Sequence, residues 1–170
     1  MDSARQNILA VHDSKFGKGT FATQNISKGA FILCIRGKQS TFNTSLELDD
    51  QESYFLQTGI DKYIILDEPF RYSNHSCDPN AGINGNLELF AIKPIAKGEE
   101  IVWDYSTSML ERYWTMRCEC RSRLCRRLIT DFDLLPLRIQ KLYLNQGIVL
   151  PFISDYLTQQ NAVPALVDMK

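Results

Sequence analysis

Hydrophobic positions along this chain fall into two regimes. Up to about residue 130, short apolar runs are broken every few residues by Gly, Asn, Asp or Lys. That is the pattern of brief, half-buried strands joined by tight turns. It predicts strands near 19–24, 30–36, 63–66, 87–93 and 100–103. One unit recurs: Phe21-Ala22, Ile26, Lys28-Gly29 and Ile32 are matched by Phe90-Ala91, Ile95, Lys97-Gly98 and Ile101. Each copy reads as strand, Lys-Gly turn, strand, because glycine accepts the positive φ of such a turn. A true internal repeat and two independent hairpins with the same needs both fit. Between the copies, residues 46–56 are largely polar, with Leu46 at one end and Tyr54, Phe55 and Leu56 at the other. This predicts a short helix or irregular insert leading into a strand.

After residue 130 the period lengthens. Asp133 is positioned to cap a helix with Pro136 in its first turn, Leu137, Leu142 and Tyr143 near one face, and Gly147 at its end. Pro151 then opens a second helix carrying Phe152, Ile153, Tyr156 and Leu157, and the last ten residues read as a frayed end. The expected fold is mainly β with some α, a strand-rich body with a short helical tail.

Composition narrows the function. In 170 residues, 44% hydrophobic and 23% charged positions describe one folded domain with a core, not a disordered or fibrous chain. Nineteen Lys+Arg against twenty Asp+Glu leave a net charge of −1. Without a basic excess, direct nucleic-acid binding is not expected. No apolar run in the first residues suits secretion or a membrane span. The expected setting is therefore intracellular, cytoplasmic or (in a eukaryote) nuclear, with no membrane partner. Five cysteines, an odd number, argue against a disulfide framework and for metal ligands.

Three of those cysteines form a C-x-C-x4-C cluster, Cys118, Cys120 and Cys125. Tetrahedral zinc needs a fourth donor, and Cys34, Cys77, His12 and His75 are available. Arg112, Arg117, Arg121, Arg123, Arg126 and Arg127 surround the cluster, and their charge would offset that of a zinc tetrathiolate. Residues 71–80, Arg-Tyr-Ser-Asn-His-Ser-Cys-Asp-Pro-Asn, form a sharp polar turn when taken alone. Residues 98–105, Gly-Glu-Glu-Ile-Val-Trp-Asp-Tyr, read alone as an amphipathic strand.

Together and in this order, the segments resemble the SET-domain family of protein-lysine methyltransferases over roughly residues 10–128. Gly17-Lys18-Gly19-Thr20-Phe21-Ala22 is similar to that family's G-x-G segment, which holds the methionine part of S-adenosylmethionine. Residues 71–80 resemble its R-F-x-N-H-S-C-x-P-N signature, and residues 98–105 its G-E-E-L-x-F-D-Y. Cys118, Cys120 and Cys125 resemble its post-SET zinc cluster, so the resemblance makes Cys77 the fourth ligand and leaves Cys34 over.

The resemblance implies small curved sheets with a pseudoknot, and a narrow channel in which cofactor and substrate meet from opposite faces. The implied organisation is a SET domain over 1–116 (core about 10–106), a post-SET-like zinc segment over 117–129 and a helical tail over 130–170. The implied activity is S-adenosylmethionine-dependent methylation of lysine in a protein or peptide, histone or otherwise, with Zn2+ as a second cofactor. Tyr105 would be catalytic. Gly17, Lys18, Gly19, Tyr54, Arg71, Asn74, His75 and Leu128 would bind the cofactor, and Trp103, Tyr105 and Ile35 would line the channel. Two departures stand out: Ile35 occupies the place of a common tyrosine, and Trp103 that of Phe or Tyr. The first leaves open an inactive, zinc-stabilised peptide-binding module. Methylation of a non-protein amine is the third reading.

Overall fold

The Phe-Ala…Lys-Gly unit organises the body of the protein. The computed structural model describes residues 8–41 and 54–162. Most of the expected insert and the expected frayed end lie outside these residues. Among the described residues, ten short strands form four antiparallel sheets. β1 (Leu9–Ser14) pairs with β2 (Gly17–Ala22). β3 (Phe31–Cys34), β7 (Ala81–Ile83) and β8 (Glu88–Ala91) assemble in the order β3-β8-β7. β4 (Gly37–Ser40), β5 (Phe55–Gly59) and β6 (Lys62–Leu66) assemble as β4-β6-β5. β9 (Met116–Arg117) pairs with β10 (Leu128–Ile129).

The two copies of the repeat bind each other. Gly29 donates to the Ala91 carbonyl at 2.7 Å, and Gly98 donates to that of Ala22 at 2.8 Å. Ala22 donates to Glu99 and Ala91 to Ala30, both at 2.9 Å, while Ile26 and Ile95 exchange bonds of 2.8 and 2.9 Å. Both turn glycines have φ +83°. Each copy therefore satisfies the other's backbone groups, as two halves related by a local two-fold would. Independent hairpins, each closing on itself, do not describe this arrangement.

The symmetry fails at residues 100–103, where the expected strand does not form. Only isolated bridges occur there, Phe21 to Glu100 and His75 to Trp103. The reason is a competing partner: Asn80 and Ala81 both donate to the Val102 carbonyl, and the Asn80 side chain accepts from Val102 N–H at 2.9 Å. The segment's backbone groups are divided between β2 and residues 74–81 instead of completing a sheet.

The main core joins Leu56, Ile64, Phe70, Ile83, Leu89, Ile95 and Ile101. A second core joins Phe132, Tyr143, Ile148 and Ile153 to Ile92 of the body. The tail is α1 (Leu137–Gln146) and α2 (Pro151–Ala162). Gly147 closes α1 at φ +68°, as expected. Asp133 does not cap it; that residue lies in a preceding 3-10 turn (Phe132–Leu134) and pairs with Arg112, and Pro136 takes the cap position. The expected apolar face is also rotated, since Leu137 and Leu142 are 71% and 51% exposed while Tyr143 and Gln140 are buried. Tight packing holds the tail: a Cβ at Gly82 in β7 would come within 2.2 Å of Ile148 Cγ2. Each of the buried Phe132, Ile148 and Ile153 side chains contributes roughly 1.5–3 kcal/mol.

Candidate active site

Two stretches that look unrelated in sequence lie side by side. Ser76 donates to the Trp103 carbonyl at 3.0 Å, and Trp103 N–H to that of Asn74 at 3.2 Å. This parallel crossing sets Asn74 and His75 against Trp103 and Tyr105. Asp104 then caps a 3-10 turn (Tyr105–Ser108) by accepting from Ser106 N–H at 3.1 Å.

The Tyr105 hydroxyl donates to the Ser73 carbonyl at 2.9 Å. Burial raises its phenol well above the ordinary range, so the hydroxyl stays neutral. Tyr105 N–H donates to His75 Nδ1 at 3.2 Å, which leaves the ring proton on Nε2, 3.3 Å from Cys77 Sγ. Burial pulls the His75 pKa down to about 4, so its 3.5 Å approach to Asp104 is not an ion pair.

Tyr105 and Arg71 line two cavities. The larger, about 370 Å3, has Lys18, Tyr54, Asn74 and His75 in its wall. The smaller, about 70 Å3, has Tyr63, Phe70, Trp103 and Glu111. The Arg71 guanidinium stacks 4.1 Å from the Tyr54 ring centre. Its Nε is buried without a partner among the described residues, a donor suited to an anionic or carbonyl group of a guest.

Five of the residues expected at the cofactor, Lys18, Tyr54, Arg71, Asn74 and His75, thus face one cavity. Gly17 and Gly19 flank Lys18 in β2 but are not among the residues lining the cavity. Asn74 donates to the Lys18 carbonyl at 3.0 Å, and a Cβ at Gly19 would lie 2.3 Å from Glu100 Oε1. Leu128 does not line that cavity; it is 48% exposed in β10, and Met116 and Arg117 of β9 take the wall position. Ile35 lines neither cavity, being buried in the main core. Trp103 and Tyr105 line the smaller one with ring centres 4.8 Å apart.

Cys77, Cys118, Cys120 and Cys125 converge, all four sulfurs within 4.8 Å of one another. Cys118 lies 3.7 Å from Cys77 and from Cys125. A tetrahedron with Zn–S bonds of about 2.3 Å has edges of about 3.8 Å, so the group fits zinc. Burial pushes the Cys77 thiol up to about 11 and that of Cys118 higher still. For Cys120, burial is outweighed by N–H bonds from Cys77 and Ser122, bringing it to about 7. A divalent cation supplies the charge that deprotonates such a set. Cys34 is exposed, and His12 packs on Phe21.

Arg126 serves the cysteine cluster and Asp104 together, its charge favouring the Cys77 thiolate as expected. Its backbone N–H reaches Cys77 Sγ at 3.3 Å, but its guanidinium turns to Asp104, with bonds of 2.6 and 2.8 Å. Asp104 also accepts from the Tyr143 hydroxyl of α1 at 2.9 Å. The carboxylate beside Tyr105 therefore ties the turn, the cysteine-bearing loop and the tail together. Tyr143→Phe should lower stability by about 2 kcal/mol, the value of a buried hydrogen bond to a charged group. Chemical denaturation measures this, and a loss below about 0.5 kcal/mol would mean Tyr143 does not hold Asp104.

Comparison with known proteins agrees with this geometry. The SET domain family model matches residues 17–106. The chain is 32% identical to histone-lysine N-methyltransferase, H3 lysine-36 specific, of Candida glabrata over 70% of this chain and 19% of that protein. It is 26% identical to human histone-lysine N-methyltransferase 2B over 75% of this chain and 5% of that protein. The chain thus spans under a fifth of each relative's length. The methyltransferase domain of human SETMAR superposes with a TM-score of 0.59 at 21% identity, covering 72% of this chain and 58% of that one. With the family model covering over half its length, the chain belongs to the SET-domain family.

Proposed function

We propose that this chain transfers a methyl group from S-adenosylmethionine to the side-chain amine of lysine in a protein. The observation that carries the reading is Tyr105, which with Arg71 lines both the larger and the smaller cavity. Methyl transfer is an in-line displacement, which needs donor and amine on opposite sides of one point.

When bound, the cofactor supplies an electrophilic methyl group on a sulfonium. Asn74, His75, Lys18, Tyr54 and the Gly17–Gly19 segment are the groups proposed to hold it, with Arg71 and Tyr54 stacked beside them. Leu128 is a weaker candidate on this geometry. Trp103, Phe70 and Tyr63 wall the passage for the lysine, whose amine must lose its proton before it attacks. Because the Tyr105 proton is given to Ser73, the oxygen lone pairs are left to orient the incoming groups. The amine proton leaves to solvent. Zn2+ on Cys77, Cys118, Cys120 and Cys125 would hold the 117–129 segment against this site.

The proposed organisation stays a SET domain over 1–116, the zinc segment and the tail. A histone tail is the first substrate to try, given the relatives' names. The missing hydroxyl at Ile35 favours the inactive-module reading, but Ile35 lies in the core, and Tyr63 of β6 brings a hydroxyl to the smaller cavity. No helix among the described residues is long and apolar enough to cross a membrane. Calorimetry with S-adenosylmethionine and the zinc-loaded chain tests the reading. Binding is expected; its absence would favour a module without enzymatic activity.

A further inference from the structure

The smaller cavity contains a group that methyl transfer leaves unused. Half of its lining residues are aromatic, Phe55, Tyr63, Phe70, Trp103 and Trp114 among them, and two are charged: Arg71, whose guanidinium stacks on Tyr54 of the larger cavity, and Glu111. The Glu111 carboxylate accepts a hydrogen bond from the buried Tyr63 hydroxyl of β6, which fixes its direction. Tyr105 and Ser73, bonded to each other, line the same cavity.

A carboxylate among aromatic faces has a definite chemical preference. Ring faces attract cations weakly, and the carboxylate attracts them strongly where water is scarce. Neither gains from a neutral guest of the same shape. The cavity's size, about 70 Å3, suits one slender side chain.

We propose that Glu111, held by Tyr63, is the charge-reading residue of this cavity: it selects a side chain ending in an ammonium, free or methylated, over a neutral isostere. The identity of the guest as lysine rests on the methyl-transfer reading, but the selection can be measured without turnover. It also implies that the substrate enters charged and that the methylated product competes for the same site.

The test uses the full, zinc-loaded chain and two small probes. One is Nα-acetyl-trimethyllysine methylamide; the other replaces its quaternary nitrogen by carbon. Ligand-observed NMR titration should show the charged probe binding roughly tenfold more tightly. Glu111→Gln should reduce the ratio to about threefold, the share of the rings alone, and Glu111→Asp should keep most of it. Equal binding of both probes by the unmodified protein, or a full ratio in Glu111→Gln, overturns the proposal. If the Gln variant does not fold, Tyr63→Phe decides: the ratio should at least halve, and an unchanged ratio overturns the proposal. Charge-selective binding with no methyl transfer would remove the enzymatic reading and keep this one. Methyl transfer with no charge selection would do the reverse.

Discussion

Tyr105→Phe is expected to lower the methyl-transfer rate about a hundredfold or more while leaving the protein folded and able to bind cofactor. Tyr105 lines both cavities with its hydroxyl fixed on the Ser73 carbonyl, and losing one positioned polar group in such a place costs that much. The structural cost is small by comparison. One bond to the Ser73 carbonyl is lost, worth about 1 kcal/mol, and the ring keeps its packing against Trp103 and His75. Steady-state rates with labelled cofactor, beside calorimetry on the same variant, separate the two effects. A rate within about threefold of the unmodified protein would remove Tyr105 from its role.

Stripping zinc is the second large effect. Cys77 lies in the same segment as Asn74 and His75, and Cys118 and Cys120 line the larger cavity. Their sulfur bonds to a metal would therefore hold one wall of that cavity to another. Without those bonds, two buried thiols remain that burial keeps protonated. Removal is expected to lower the melting temperature by about 10 °C or more and to abolish cofactor binding in the same step. Metal analysis of reduced protein should return about one zinc per chain. Thermal melts and calorimetry before and after chelation make the check. Full stability and full binding in metal-free protein would contradict the role given to the cluster.

Much of this was legible because it is local. The Lys-Gly turns, the Gly147 stop and the Pro151 start are dictated by backbone chemistry within a few residues. The cysteine spacing carries three of the four donors, with Cys77 named only by the family resemblance, and the Asn-His-Ser-Cys segment carries its own turn. The rest depends on partners that spacing does not encode. Residues 100–103 have a strand's alternation, but their backbone groups are divided between β2 and residues 74–81. The face of α1 is fixed by the reach of Tyr143 to Asp104, not by its leucines. Tyr63 is one aromatic position in an apolar strand, and period-two alternation says only that it points inward. Glu111, beside Arg112, reads as surface; folding brings it to Tyr63, 48 positions away. The signal that could have found Tyr63 was the hydroxyl missing at Ile35, which invites a search for its replacement.

The central claim is that lysine receives the methyl group. The most direct measurement incubates the zinc-loaded chain with methyl-labelled S-adenosylmethionine and a histone mixture, then locates the label by mass spectrometry of peptides. Label on lysine side chains, lost with Tyr105→Phe, is the predicted result. Label on other residue types, or lysine labelling that survives Tyr105→Phe unchanged, would contradict it.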